Sequence, residues 1–222
     1  MKLYLIINIL IIAVPLLLSF ESKIRFYRKI IYYLQSILIV SSAFLIWDVI
    51  ATARGDWAFN KLYLTGIYFW GLPIEEILFF LTVPYACIFI FKTVNLYLKD
   101  KVLKINDYIL WLKVLLLIII AVVNAERNYT YTVLLFSATS ILLLRFLDND
   151  LLSSRNFWIT MLVTYIPFLI VNYFLTSIPI VTYNDNAFST YRFMTIPFED
   201  FFYSFSMISM WIMFYNLSEK NE

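Results

Sequence analysis

Histidine is absent from the 222 residues, and cysteine and glycine are nearly so, with one and three copies. Each shortage removes a class of chemistry. Without histidine there is no His-ligated metal site and no Ser-His or Cys-His nucleophile pair. Cys87 alone makes no intramolecular disulfide, and within its apolar run it reads as a core residue. Gly55, Gly66 and Gly71 cannot spell a phosphate-cradling or dinucleotide-binding loop. Charge is also scarce, at 14% of residues against about 25% in soluble domains. The net charge of +2 is not gathered into a basic stripe, so no nucleic-acid partner is expected.

Hydrophobic residues are plentiful, at 63%, and aromatic ones reach 20%. Crossing a bilayer takes about 20 mostly apolar residues. Such runs recur along the whole chain and predict an all-α integral membrane protein in contact with membrane lipid. Seven transmembrane helices are expected near 2–20, 29–50, 73–93, 106–124, 129–147, 156–177 and 197–217. Residues 2–19 have a basic n-region of one lysine, Lys2, and no small-x-small cleavage site after them, so they read as a first span rather than a signal peptide. Lys113 lies inside the fourth helix, within snorkelling reach of an interface. The polar stretches 50–66 and 182–192 read as loops. Eleven of the 17 Lys and Arg fall in loops 1–2, 3–4, 5–6 and the C-terminal tail. The positive-inside rule then puts those in the cytoplasm, in a multi-pass cell-membrane protein with its N-terminus outside.

A shift of 124 positions exposes a repeat. FLIWD at 44–48 falls on FLIVN at 168–172, so Asp48 meets Asn172. FN at 59–60 falls on YN at 183–184, and Thr65 on Ser189. PIEE at 73–76 falls on PFED at 197–200, with no gap needed between. Four helices separate the copies, so they run in the same direction. The plan is 3+1+3, two parallel three-helix repeats at 1–95 and 128–222 joined by a linking helix within 96–127. Both acidic motifs end on one side of the membrane, and parallel repeats of this kind place sites at their interface.

Pro73 and Pro197 suit the first position of a helix, where a missing N–H costs nothing. Glu75, Glu76, Glu199 and Asp200 then fall in first turns, where negative charge gains about 0.3–1 kcal/mol. An ion in or near hydrocarbon costs more than that. Adjacent acids also repel, which favours one of them keeping its proton. Asp48 and Asn172 sit at equivalent points about three turns into a second helix. A proton-holding carboxylic acid beside a carboxylate makes an acid/base pair without a cofactor or metal. Aromatic residues gather near both motifs: Trp47, Tyr68, Trp70, Phe79 and Phe80 by the first, Phe202 and Tyr203 by the second. Ring faces attract cations, and helical spacing stacks Glu75 with Phe79 and Glu76 with Phe80. Such a setting suits carbocation chemistry on an apolar substrate. Arg54 and Arg192 precede the motifs and either pair with a carboxylate or stay solvated.

WDVIATARGDWAFN at 47–60 and YLTGIYFWGLPIEEILFFLTVPYACIFIF at 63–91 resemble the membrane-embedded lycopene cyclases. These comprise a small heterodimeric bacterial type, fused relatives and the cyclase half of fungal and archaeal forms. FLIVNYF at 168–174 through YRFMTIPFEDFFYSF at 191–205 resembles the partner subunit. The second copy departs from the first at Asn172, where no acid stands, and at Val171, where tryptophan is missing. The resemblance implies non-redox closure of the ψ ends of lycopene, or a related acyclic carotenoid, to β-ionone rings. Glu75 and Glu199 would be the principal acid/base pair. Glu76 and Asp200 would tune protonation, and Asp48 would assist from the second helix. Trp47, Tyr68, Trp70, Phe79, Phe80, Asn172, Phe202 and Tyr203 would line the substrate. A homo-oligomer or a complex with other carotenoid enzymes is an allowed partner state. Two other readings fit seven helices: a small 3+1+3 transporter, though its usual Pro-Gln pair is missing, and a non-catalytic subunit of a carotenoid enzyme complex. A retinal-binding photoreceptor lacks its lysine within the seventh helix, since Lys220 lies in the polar tail.

Overall fold

The computed structural model describes residues 2–220. The chain is mostly helical: α1 (Leu3–Leu18), α2 (Ile30–Arg54), α3 (Ile74–Tyr97), α4 (Asp107–Val123), α5 (Asn128–Leu147), the short α6 (Asn149–Ser153), α7 (Arg155–Ser177) and α8 (Phe198–Lys220). Local chemistry fixes several ends. Gly55 closes α2 in the left-handed region at φ 80°, donating its N–H back into the last turn. Asn106 and Ser154 cap α4 and α7, accepting from the N–H of Ile109 at 3.3 Å and of Phe157 at 3.0 Å.

Four stretches are long and apolar enough to cross a membrane: Phe26–Arg54, Ile74–Tyr97, Asn128–Leu147 and Arg155–Ser177. The expected seven spans are thus met in part. Helices of 16 and 17 residues, α1 and α4, reach only about 24–26 Å, short of about 30 Å of hydrocarbon. α8 is long enough, but Ser204, Ser206, Ser209 and Asn216 within it make it less apolar than the four spans.

α8 occupies the middle of the bundle, and Trp211, Ile212, Met213 and Tyr215 on it are fully buried. It packs against α5, α2 and α3, while α1 lies on α3, α7 crosses α3, and α4 leans on α5. At the C-terminal end of α8, Glu219 accepts from Lys92 at 2.8 Å and also from Lys29, and Lys220 reaches Asp148 at 2.8 Å. These ion pairs tie α8 to the start of α2, the end of α3 and the α5–α6 junction.

Strands within the expected loops are not legible in the sequence. β1 (Trp57–Phe59) pairs antiparallel with β4 (Val181–Tyr183), in the register Trp57–Tyr183, Ala58–Thr182 and Phe59–Val181. Replacing each residue n by n + 124 maps this ribbon onto itself, with a two-fold axis at the Ala58–Thr182 pair. Two hairpins obey the same shift: β2 (Tyr68–Phe69) with β3 (Leu72–Pro73), and β5 (Arg192–Phe193) with β6 (Ile196–Pro197). Even the backbone strain recurs. φ is positive at Gly66 and Thr190, and at Trp70 and Met194, although the residue types differ. Helix pairing follows the same exchange, α2 on α8 and α7 on α3.

Candidate active site

Both acidic motifs begin a helix, as expected, but the prolines stand one step earlier. Pro73 is the extended N-cap of α3 and the last residue of β3, and Pro197 ends β6 directly before α8. The carboxylates therefore follow a strand, and their neighbours along the chain are the hairpin loops.

The two acids of each motif do different things. Glu75 and Glu199 are engaged by loops. Glu75 Oε1 accepts from the Thr65 N–H at 2.5 Å, and Glu199 Oε1 from the Ser189 N–H at 2.7 Å, the same bond at the same offset. Glu199 also accepts from the Thr130 hydroxyl at 2.6 Å, and the Oε2 of each glutamate is buried without a partner. Neither residue lines the main cavity. Glu76 and Asp200 do, and so does Asp48. Glu76 Oε2 accepts from the Tyr4 hydroxyl at 2.5 Å. Asp200 accepts from Tyr129 at 2.5 Å on one oxygen and from Tyr183 at 2.9 Å on the other. Asp48 Oδ1 accepts from the Trp57 indole at 3.0 Å, and its Oδ2 is buried and unpartnered. Burial, with Asp200 alongside, raises the Tyr183 phenol well above its ordinary value, so it remains a donor.

The cavity, about 120 Å³, is narrow and long. Its wall follows α3 from Glu76 to Ile90, about 21 Å at about 1.5 Å per residue. α7 and α8 form the other sides, with Tyr4 and Ile11 of α1 contributing and no Lys or Arg on the wall. Three carboxylates cluster at one end, and the remainder is mostly apolar down to Cys87, Met207 and Trp211.

Of the aromatic and amide residues expected here, Phe79, Asn172 and Tyr203 are on the wall. Trp47, Phe80, Phe202, Tyr68 and Trp70 are not on it, and of these Trp47 and Phe80 are buried in the core. Trp70 is 86% exposed at the tip of the β2–β3 hairpin, and Tyr68 is exposed one strand earlier. Their chain proximity to Glu75 is cancelled by the reversal at Trp70–Gly71, both in the left-handed region. Arg54 pairs with the buried Asp56, and Arg192 sits 4.7 Å above the Phe188 ring and 3.8 Å from Asp185, so neither binds a motif carboxylate. Tyr4, Tyr129, Trp57 and Tyr183 were not foreseen. Tyr4 and Tyr129 hold equivalent acids from first helices 125 positions apart, one off the main shift, which hides the match. Among the described residues no cluster of three His, Cys, Asp or Glu is arranged to hold a metal.

Apolar helices long enough to cross a bilayer, around a cavity with carboxylates at one end, define a helical membrane protein with an acid-walled apolar pocket. The family described as lycopene cyclase matches residues 1–94 and 128–218, skipping the α4 region, and the chain belongs to that family. No curated protein and no solved structure matches. Membership points to a carotenoid cyclase, an enzyme of carotenoid biosynthesis acting on a carotenoid in a membrane.

Proposed function

We propose that the protein closes the ψ ends of lycopene to β-ionone rings by proton transfer alone. The observation that carries this reading is the cavity: one slender apolar channel with Glu76, Asp48 and Asp200 at a single end. A linear polyene laid along α3 presents its terminus to those acids. A proton added at C2 leaves a tertiary cation at C1. The C5=C6 double bond attacks it, forming the C1–C6 bond and moving the cation to C5. Loss of the C6 proton gives the β ring, so one proton enters, one leaves and no electrons are exchanged.

Asp200 is the receiving base in this scheme, since both its oxygens already accept from phenols. The donor lies on the Glu76–Asp48 side, where Asp48 Oδ2 is buried with no partner. Tyr203 on the wall supplies a ring face for the cation. Glu75 and Glu199, which the sequence favours as the principal pair, become positioning residues that pin the 65 and 189 loops to the helix starts. The membrane arrangement that suits this reaction is seven spans in a 3+1+3 plan, with two repeats sharing one site and the N-terminus outside.

Expression in a lycopene-accumulating bacterium tests the reaction. Pigment shifts from red to yellow-orange, and chromatography resolves γ- and β-carotene. Unchanged lycopene in cells holding folded protein overturns the proposal.

A further inference from the structure

The backbone obeys the 124-residue exchange, but the cavity does not. It lies between α3, α7 and α8. The exchange carries that cleft onto a second one between α8, α2 and α3. The wall residues Thr164 and Val171 of α7 become Val40 and Trp47 of α2. Of all α2, only Asp48 reaches the cavity. In the second cleft the Trp47 ring centre lies 5.1 Å from that of Trp57, 5.2 Å from that of Tyr203 and 5.3 Å from that of Phe136, with Phe44 set edge-on against the last two. In the first cleft the same position holds Val171, a much smaller side chain, and the space beside it is open.

We propose that Trp47 plugs the second of two channels that the duplicated scaffold would otherwise form, and that the Trp47/Val171 difference limits the protein to one polyene channel per chain. The acids of both repeats then serve a single channel end, and each binding event exposes one polyene end to them. The physical basis is volume. Close-packed interiors leave no room for a chain-like ligand unless a large side chain is absent. The identity of the ligand rests on the cyclase reading; the number of channels does not.

Native mass spectrometry of the purified full chain counts bound molecules directly. Two probes are used, lycopene and the linear triene 1,6-diphenylhexatriene, in a Glu76→Gln background so that lycopene is not consumed. The expected result is one bound molecule per chain, none in Val171→Trp and two in Trp47→Val. Val171→Trp adds bulk to existing space and keeps the packed cleft intact, so it is informative even if Trp47→Val fails to fold. Unchanged binding in Val171→Trp, or two molecules per chain before any change at 47, overturns the proposal. Binding of the triene in the expected pattern without lycopene leaves the channel count standing and sinks the carotenoid reading. Binding of neither probe overturns the channel.

Discussion

Consecutive carboxylates at a helix start face different partners, and this divides their expected roles. Glu76→Gln and Asp200→Asn keep shape and remove proton exchange, so conversion should fall by about 10²–10⁴-fold, the usual range for general acid/base groups. Glu75→Gln and Glu199→Gln retain an oxygen to accept from Thr65 and Ser189, and conversion should stay within about tenfold. Carotenoid profiles at matched protein levels check both; the opposite ranking would return the proton chemistry to Glu75 and Glu199. Tyr183→Phe deletes one of two donors to Asp200. A hydrogen bond to a charged group is worth about 1.5–3 kcal/mol, so kcat should drop by about 10–150-fold while KM changes little, because the phenol serves the acid and not the polyene. A fall confined to KM would instead assign Tyr183 to substrate contact.

The β1–β4 ribbon is the smallest element that joins the two repeats, and it works on the site directly. Its Trp57–Tyr183 pair sends an indole to Asp48 and a phenol to Asp200, one donor to each side of the cavity. Thr182→Pro removes an N–H at the centre of the ribbon and should reduce conversion strongly while leaving helical circular dichroism intact. Loss of helicity would mean that the ribbon holds up the bundle instead. Helices were legible because long apolar runs announce themselves, and the 124-residue shift foretold that Glu76 and Asp200 would occupy matching places. The ribbon was not legible: three residues per strand carry no period, and their pairing follows from the two-fold relation between the repeats. The same reason governs the surroundings of Glu75. Sequence spacing places Tyr68 and Trp70 close to it, but the two-residue turn after Phe69 sends them to the outside. Helical periodicity cannot tell which of two neighbouring acids faces inward, since that depends on where the hairpin delivers the chain.

At the scale of the whole molecule, the repeats exchange their second helices, α2 packing on α8 and α7 on α3, so each completes the core of the other. Site groups are divided likewise: Tyr4, Asp48 and Glu76 come from the first, Tyr129, Tyr183 and Asp200 from the second. α4 contributes little to this. It leans mainly on α5 and exposes Leu112, Leu115, Ile119 and Val123 along its length. The segment before it does more, since the Leu103 N–H donates to the Ser153 carbonyl at 2.7 Å and Asp100 accepts from the Asn156 N–H at 2.9 Å. A chain cut between Ile105 and Asn106 turns those bonds into contacts between the two fragments and leaves α4 with α5. Co-expressed fragments 1–105 and 106–222 should therefore reassemble and convert lycopene, and either fragment alone should convert none. The interface is made of buried aromatic packing plus the ion pairs of Glu219 with Lys29 and Lys92, which gives association without the covalent link. Co-purification of a tagged first fragment with the second, alongside pigment analysis, decides the matter. Activity from one fragment would show that a single repeat carries a complete acid/base set, and would remove the shared channel end on which the proposed mechanism depends.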